Sequence, residues 1–324
     1  MIIGHDEAVE QFRQAWDSGA LHHAWLLAGP KGVGKASFAR SASCWILAKA
    51  GGPDFDAPVL DTPADHRIAK LIAAGSHPDQ RLLQRLENEK TGNLARNITV
   101  DQVRELGDFL GLTPALSPWR VVVIDSIDEL EKSAANALLK MLEEPPPNTA
   151  FLLVSHAPGR LLPTIRSRCR RLEFHALDDD AMASILEREF PDTSEADRRS
   201  VIPMAGGSVG RALAFASLDL GTLEKEALSI LRDGDPDNSK RSALAGALAR
   251  KPAADRYAAF LDLLPAMVAR EARSLPEPKR GLAIDAYERV RELSVIAPRL
   301  SLDPAATVFQ LGGYLASVSG PGVS

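Results

Sequence analysis

Cysteine is almost absent from this chain. Cys44 and Cys169 are the only two in 324 residues, too few for a disulfide framework or a four-cysteine metal site. Long apolar runs are missing too, and none approaches the ~18 residues that a membrane-spanning helix needs. The opening Met1-Ile2-Ile3-Gly4-His5-Asp6 has no basic stretch ahead of an apolar one, so no secretory leader is expected. There is no basic surplus: the net charge of −5 argues against a free-standing nucleic-acid binder, though not against a local basic face on one member of an assembly. Aromatics make up 5% of the chain, which leaves little for a base-stacking platform. Together these features fit a reducing cytoplasm. The remaining composition, 45% hydrophobic and 25% charged, is that of a globular protein, and the length suggests two or three domains.

Against this background one segment stands out. Residues 29–36 read Gly-Pro-Lys-Gly-Val-Gly-Lys-Ala. The phosphate-binding loop G-x-x-x-x-G-K-[ST] uses its glycines to bring backbone N–H groups against phosphate, its lysine to meet the charge, and its final hydroxyl to hold Mg²⁺. Gly29, Gly32, Gly34 and Lys35 are present, but the hydroxyl slot is Ala36. The context is right for a true loop of this kind. The apolar run Trp25-Leu26-Leu27-Ala28 precedes it, and Phe38, Ala42, Trp45 and Ile46 follow at helical spacing.

Further along, residues 49–66 are rich in Gly, Pro and Asp and read as an irregular insertion. Arg81–Leu86 reads as a strand. Thr99 and Gln102 have the spacing of a capping box, opening a helix with Val103, Leu106 and Leu110 on one face and Pro114 as its stop. The run Trp119–Asp125 is apolar without alternation, as a parallel strand buried on both faces would be, and it ends in a carboxylate. A helix is expected over 133–144 with Ala135, Leu138, Leu139 and Leu142 inward, stopped by Pro145-Pro146-Pro147, and Phe151–Val154 is a second buried strand. Beyond Leu177 the strand signals vanish. Ala181–Glu187, Glu195–Ile202 and a segment opened by Gly206–Arg211 read as helices, with later breaks at 233–238, Pro252 and 275–279. The expected fold class is therefore α/β: a P-loop domain with a parallel sheet over 1–175, a small helical lid over 176–218, and an all-helical domain over 219–324.

Several residues could carry chemistry. Asp125 suits the strand-end carboxylate that helps hold Mg²⁺ in P-loop ATPases; the alternative is that it only closes a buried strand. Ser126 follows it, and a hydroxyl cannot act as the general base a carboxylate would supply. Asp128 and Glu129 lie one turn on and should point elsewhere. Arg166, Arg168, Arg170 and Arg171 are either a solvated basic edge or contain an arginine with a specific task. Cys169 reads as a packed residue, since no pairing with a catalytic histidine is legible. His22, His23 and His77 match no zinc spacing and read as structural.

The segment Ala134-Ala135-Asn136-Ala137-Leu138-Leu139-Lys140-Met141-Leu142-Glu143-Glu144-Pro145-Pro146, with Ser167-Arg168-Cys169 downstream, closely resembles the clamp-loader branch of the AAA+ ATPases over about residues 1–218. The resemblance implies a helical collar beyond. It makes Arg168 an arginine finger aimed at ATP on a neighbouring subunit. It makes Gly29, Gly32, Gly34, Lys35 and Asp125 a nucleotide site that departs from the pattern of active members. Ala36 and Ser126 replace the Mg²⁺ hydroxyl and the catalytic glutamate. His156 stands where active members carry a small polar sensor residue. Gly210 falls in the lid-arginine position, with Arg211 one residue late and so turned about 100° away on a helix. Many bacterial relatives hold zinc in a four-cysteine module after the P-loop helix; only Cys44 lies there, so no zinc is expected. The implied role is a clamp-loader subunit of the DNA polymerase III holoenzyme without ATPase turnover of its own, in which ATP or ADP binds weakly and no cofactor is required. The implied partners are clamp-loader subunits of gamma/tau and delta type in a hetero-oligomeric ring, with the sliding clamp and primed DNA reached through that complex. The competing reading is an active motor subunit of gamma/tau type, with Ser37 and Asp128 standing in for the missing groups.

Overall fold

A computed structural model of the chain describes residues 2–56, 59–87, 94–218, 220–250 and 253–320. The chain divides into two compact units, Met1–Leu177 and Asp178–Ser324.

The first unit is built on five parallel strands: β1 (Ala24–Ala28), β2 (Gln80–Gln84), β3 (Arg120–Asp125), β4 (Thr149–Ser155) and β5 (Arg170–Glu173). Their order across the sheet is β2-β3-β4-β1-β5. Helices α1 (Asp6–Asp17), α2 (Lys35–Gly51), α3 (Arg67–Ala73), α4 (Val100–Gly111), α5 (Lys132–Glu143) and α6 (Pro163–Arg166) join them. Strands β1 and β4 are buried along their whole length, and β3 up to its last residue, as strands covered on both faces must be. Alternation sorts the side chains between two cores. Trp25 and Leu27 of β1 meet Phe12, Phe38, Ala42 and Ile46 of α1 and α2, while Leu26 meets Val103, Leu106, Leu138 and Leu142 of α4 and α5.

Local chemistry explains the element ends. The capping box is formed: the Thr99 hydroxyl accepts from the Gln102 N–H at 3.4 Å, and the Gln102 side chain accepts from the Thr99 N–H at 3.1 Å. Helix α4 stops at Gly111, three residues before Pro114, and its end is held from outside. Arg120, buried at the start of β3, donates to the carbonyls of Leu110 and Leu112. This satisfies acceptors that a helix end leaves open. Asp79, also buried, accepts the N–H groups of Ala115, Leu116 and Ser117 at 2.6–2.8 Å and pins the loop that leads into β3.

Two expectations are corrected. The second strand runs over Gln80–Gln84 rather than Arg81–Leu86, because Gln84 pairs with Asp125, the last residue of β3, and the partner strand then runs out. Among its described residues the insertion over 49–66 is irregular beyond Gly51 yet anchored. Leu60 is fully buried, Phe55 and Val59 pack on the core, and a Cβ at Gly52 would lie 2.3 Å from the His66 ring.

The second unit is helical among its described residues: α7 (Asp179–Glu189), α8 (Glu195–Ala205), α9 (Val209–Leu218), α10 (Leu220–Asp233), α11 (Ser239–Leu248), α12 (Ala254–Ser274), α13 (Lys279–Leu300) and α14 (Pro304–Ala316). Ion pairs Arg232–Glu271, at 2.8 Å, and Arg270–Glu224 tie α10 to α12. Helices of the expected lid and of the expected collar both lie in this unit. The proposed boundary at 219 and the break at Pro252 lie outside the described residues. No helix among the described residues is long and apolar enough to cross a membrane.

Candidate functional site

Register brings the carboxyl ends of β1, β3 and β4 to one edge of the sheet. Ala28 pairs with Ser155, and Asp125 with Val154. In open parallel sheets this edge is where ligands bind. The P-loop leaves β1 here and enters α2. Gly32 and Gly34 have φ of 82° and 107°, conformations that L side chains avoid. Gly29 is constrained by approach instead, since a Cβ there would lie 2.1 Å from the Phe174 carbonyl oxygen. The cradle expected from the glycines is therefore formed. Lys35 is buried at the start of α2, and its Nζ donates to the carbonyl of Gly29 at 2.7 Å and to that of Pro30. Burial pulls its pKa down from 10.5 to about 8, against the opposing pull of Asp128 and Asp125.

The wall beside the loop includes a residue that sequence reasoning missed. His5 donates from Nε2 to the Val33 carbonyl at 2.7 Å and stands edge-on to Phe174, with ring centroids 4.8 Å apart. Burial lowers its pKa, so it is a neutral strut. Its only sequence signal was a histidine just ahead of an amphipathic helix.

The acidic side of the site is committed to internal contacts. Asp125 lies 3.5 Å from the Arg40 guanidinium, which projects from α2 one turn beyond Ala36. Ser126 is buried, and its hydroxyl donates to Asp128 at 3.0 Å. Asp128 also accepts from the Ser155 hydroxyl at 3.0 Å and from the backbone N–H groups of His156 and Ala157 at 2.6 and 3.1 Å. Both its oxygens are thus used to hold the end of β4. Glu129 pairs with Arg85 at 2.9 Å. His156 is held below its ordinary pKa first by burial and then by Lys35, and its Nδ1 is buried without a hydrogen-bond partner. Lys31, Asp125, Ser126, Glu129 and His156 line a cleft of about 250 Å³, so Glu129 faces the site instead of pointing elsewhere as its spacing suggested.

These residues fit Mg²⁺ poorly. The ion takes an octahedral shell of oxygens. Ala36 supplies none, Asp125 lies beside the Arg40 guanidinium, and Asp128 already accepts from Ser126, Ser155 and the His156 and Ala157 N–H groups. Ser37 is exposed on the next position of α2. No chemical step is assigned to a metal here.

Arg168 is elsewhere. Arg170 pairs with Trp25 and Glu173 with Ala28, so Arg168, two residues before Arg170, is level with the start of β1. The P-loop leaves the other end. Arg168 lies in the turn ahead of β5, and from Trp25, level with Arg170, to Gly29 is four residues of strand, about 13 Å at ~3.3 Å per residue. The Arg168 guanidinium donates to the Thr164 carbonyl at 2.9 Å and to Glu143 at 2.7 Å. Glu143 is the last residue of α5, and an ion pair this exposed contributes at most about 1 kcal/mol. Arg170 lies over the Trp25 ring at 4.9 Å, and Arg166, Arg170 and Arg171 are exposed. Burial pushes the Cys169 thiol up to about 12, which makes it a packed, unreactive group.

The three histidines have structural partners. His22 meets the Ala24 carbonyl at 2.9 Å, His23 the Leu142 carbonyl at 3.1 Å, and His77 accepts from the Asp79 N–H at 3.1 Å. Among the described residues no group of three or more His, Cys, Asp or Glu side chains could hold a metal ion. Arg211 lies in the second unit, on α9, where its N–H bonds the Ser208 hydroxyl at 3.3 Å.

A glycine cradle between β1 and α2 and a carboxylate closing β3, on a five-stranded parallel sheet, define a P-loop α/β protein. Residues 4–178 match the family model described as DNA polymerase III, delta subunit; this is more than half of the chain, and the chain belongs to that family. It is 37% identical over 186 residues to the DNA polymerase III subunit delta' of Pseudomonas aeruginosa, covering 57% of this chain and 53% of that protein. It is 31% identical over 216 residues to the subunit delta' of Haemophilus influenzae, covering 66% and 61%. The chain thus spans only about half to three fifths of the length of these relatives. Among solved structures, a DNA polymerase III gamma subunit-related protein of Thermotoga maritima aligns over 97% of this chain and all of its own, with 15% identity and a TM-score of 0.48.

Proposed function

We propose that the chain is a clamp-loader subunit of the DNA polymerase III holoenzyme that does not hydrolyse ATP itself and supplies Arg168 to a neighbouring ATPase. The observation that carries this reading is the opposition of the two features across the sheet. Arg168 enters β5 at the end of the sheet where β1 begins, whereas the P-loop leaves β1 at its other end, which favours a nucleotide held by another molecule over the chain's own. A guanidinium delivered in this way stabilises charge on the transferring phosphoryl group and is worth about 10³–10⁵ in rate.

The chain's own site supports the other half of the reading. The cradle and Lys35 would receive phosphate, so ADP or ATP binds weakly, as a structural ligand. Turnover lacks its parts: no hydroxyl at position 36, no carboxylate at 126, and Asp125 engaged by Arg40. The motor alternative needs Asp128 as a base, but that carboxylate already accepts four hydrogen bonds. The partners in this reading are gamma/tau-type and delta-type subunits in a cytoplasmic hetero-oligomeric ring. The helices after about residue 219 form its collar, and the sliding clamp and primed DNA are met through the assembly.

The test is Arg168→Ala in the complex assembled with an ATP-hydrolysing gamma/tau-type subunit. The expected result is a large loss of DNA-stimulated ATPase and of clamp loading, with assembly unchanged. Normal turnover in that variant would overturn the assignment.

A further inference from the structure

Glu143 sits where a helix tolerates a carboxylate least. It ends α5, and the unpaired carbonyls of a helix's last turn carry partial negative charge that disfavours an acidic side chain. Such a local conflict marks a residue kept for another reason. Here the side chain turns to Arg168, with Oε1 at 2.7 Å from Nη2. The other terminal nitrogen of the guanidinium donates to the Thr164 carbonyl of α6 at 2.9 Å and meets the Ser167 hydroxyl at 3.4 Å. The planar fork is therefore gripped from two helices at once, which a single contact to a flexible side chain would not achieve. The Leu142 carbonyl, one residue before Glu143, meets the His23 ring at the start of β1 at 3.1 Å, so the grip is referred back to the sheet.

The pair is also open to solvent. The Arg168 and Glu143 side chains remain 34% and 47% exposed, so a phosphate group from another molecule can approach the same guanidinium and compete with the carboxylate for it.

We infer that Glu143 is a positioning residue: it holds the Arg168 guanidinium on the α5–α6 edge, oriented for the phosphate of a nucleotide bound by a neighbouring subunit. This rests on the proposed role of Arg168. Glu143 touches no nucleotide in the account. Its effect is to remove the rotamer search that a free arginine must make before each turnover.

The experiment compares steady-state ATPase of the assembled complex carrying Glu143→Ala, Glu143→Gln, Arg168→Ala or Glu143→Ala with Arg168→Ala. Glu143→Ala is expected to lower kcat about 3–10-fold with KM for ATP held within about twofold, the loss an unrestrained arginine side chain would cause. Glu143→Gln, which keeps an acceptor without charge, should fall between it and wild type. In the Arg168→Ala background Glu143→Ala should cost nothing further, and thermal melts of the single variants should match wild type. If Arg168→Ala abolishes turnover while Glu143→Ala leaves kcat unchanged, the finger stands and the positioning role fails. If Glu143→Ala lowers kcat equally with and without Arg168, its effect is merely structural and the inference fails. If Arg168→Ala itself changes nothing, both fail together.

Discussion

Lys35 offers a prediction in which stability reports on function. Its ammonium is buried, and the fall in pKa from 10.5 to about 8 means that the fold disfavours the charged form. At ~1.36 kcal/mol per pKa unit, keeping the charge inside at pH 7 costs about 3 kcal/mol. Lys35→Met removes that cost and keeps most of the side-chain volume, but it leaves the carbonyls of Gly29 and Pro30 without their donor. At about 1 kcal/mol for each lost contact, the net gain at pH 7 is about 1–2 kcal/mol. The sign with pH follows from proton counts. Between pH 8 and 10.5 the unfolded lysine still binds its proton and the folded one has lost it, so wild-type stability rises with pH across that window. By pH 9.5 about 2 kcal/mol of the cost is relieved, and the advantage of Lys35→Met should vanish or reverse. Urea melts of both proteins at pH 7 and pH 9.5 read this directly. A variant less stable than wild type at pH 7, or a difference that does not move with pH, would refute the reasoning.

Asp128→Ala strips four donors of their acceptor and should destabilise the chain by about 2–4 kcal/mol in urea denaturation, with Asp128→Asn, which keeps one oxygen, costing about half as much. Ala36→Ser restores the missing hydroxyl but leaves Ser126 and the Arg40–Asp125 pair in place, so the purified variant should show background ATPase at saturating Mg-ATP; appreciable turnover would mean that one side chain alone silences the site.

The parts of the fold that were legible are those fixed by neighbours in sequence. The apolar runs of β1, β3 and β4, the capping box at Thr99 and the glycine cradle each declare themselves within a few residues, because spacing alone sets their geometry. The motif singled out Arg168 but not its contacts, and Asp125 was legible as the end of a strand through the apolar run before it. What escaped depends on contacts between distant segments. Asp128 was expected to point away, and nothing local reveals that it binds the end of β4. Arg40 is an unremarked helix residue until β3 brings Asp125 beside it. Arg120 reads as the edge of an apolar run, yet it closes α4. Glu143 belongs to a motif whose pattern does not say that its partner is Arg168. Such pairings follow from the order of strands in the sheet, which periodicity does not encode.

The central claim is that catalytic competence is divided between subunits: this chain lacks the means to hydrolyse ATP and completes a site on its neighbour. The most direct measurement is steady-state hydrolysis of Mg-ATP by the purified chain, first alone and then titrated into a gamma/tau-type subunit. The account predicts background turnover alone and a rate that climbs with assembly. Sustained turnover by the chain alone, or a partner rate indifferent to its addition, would contradict it.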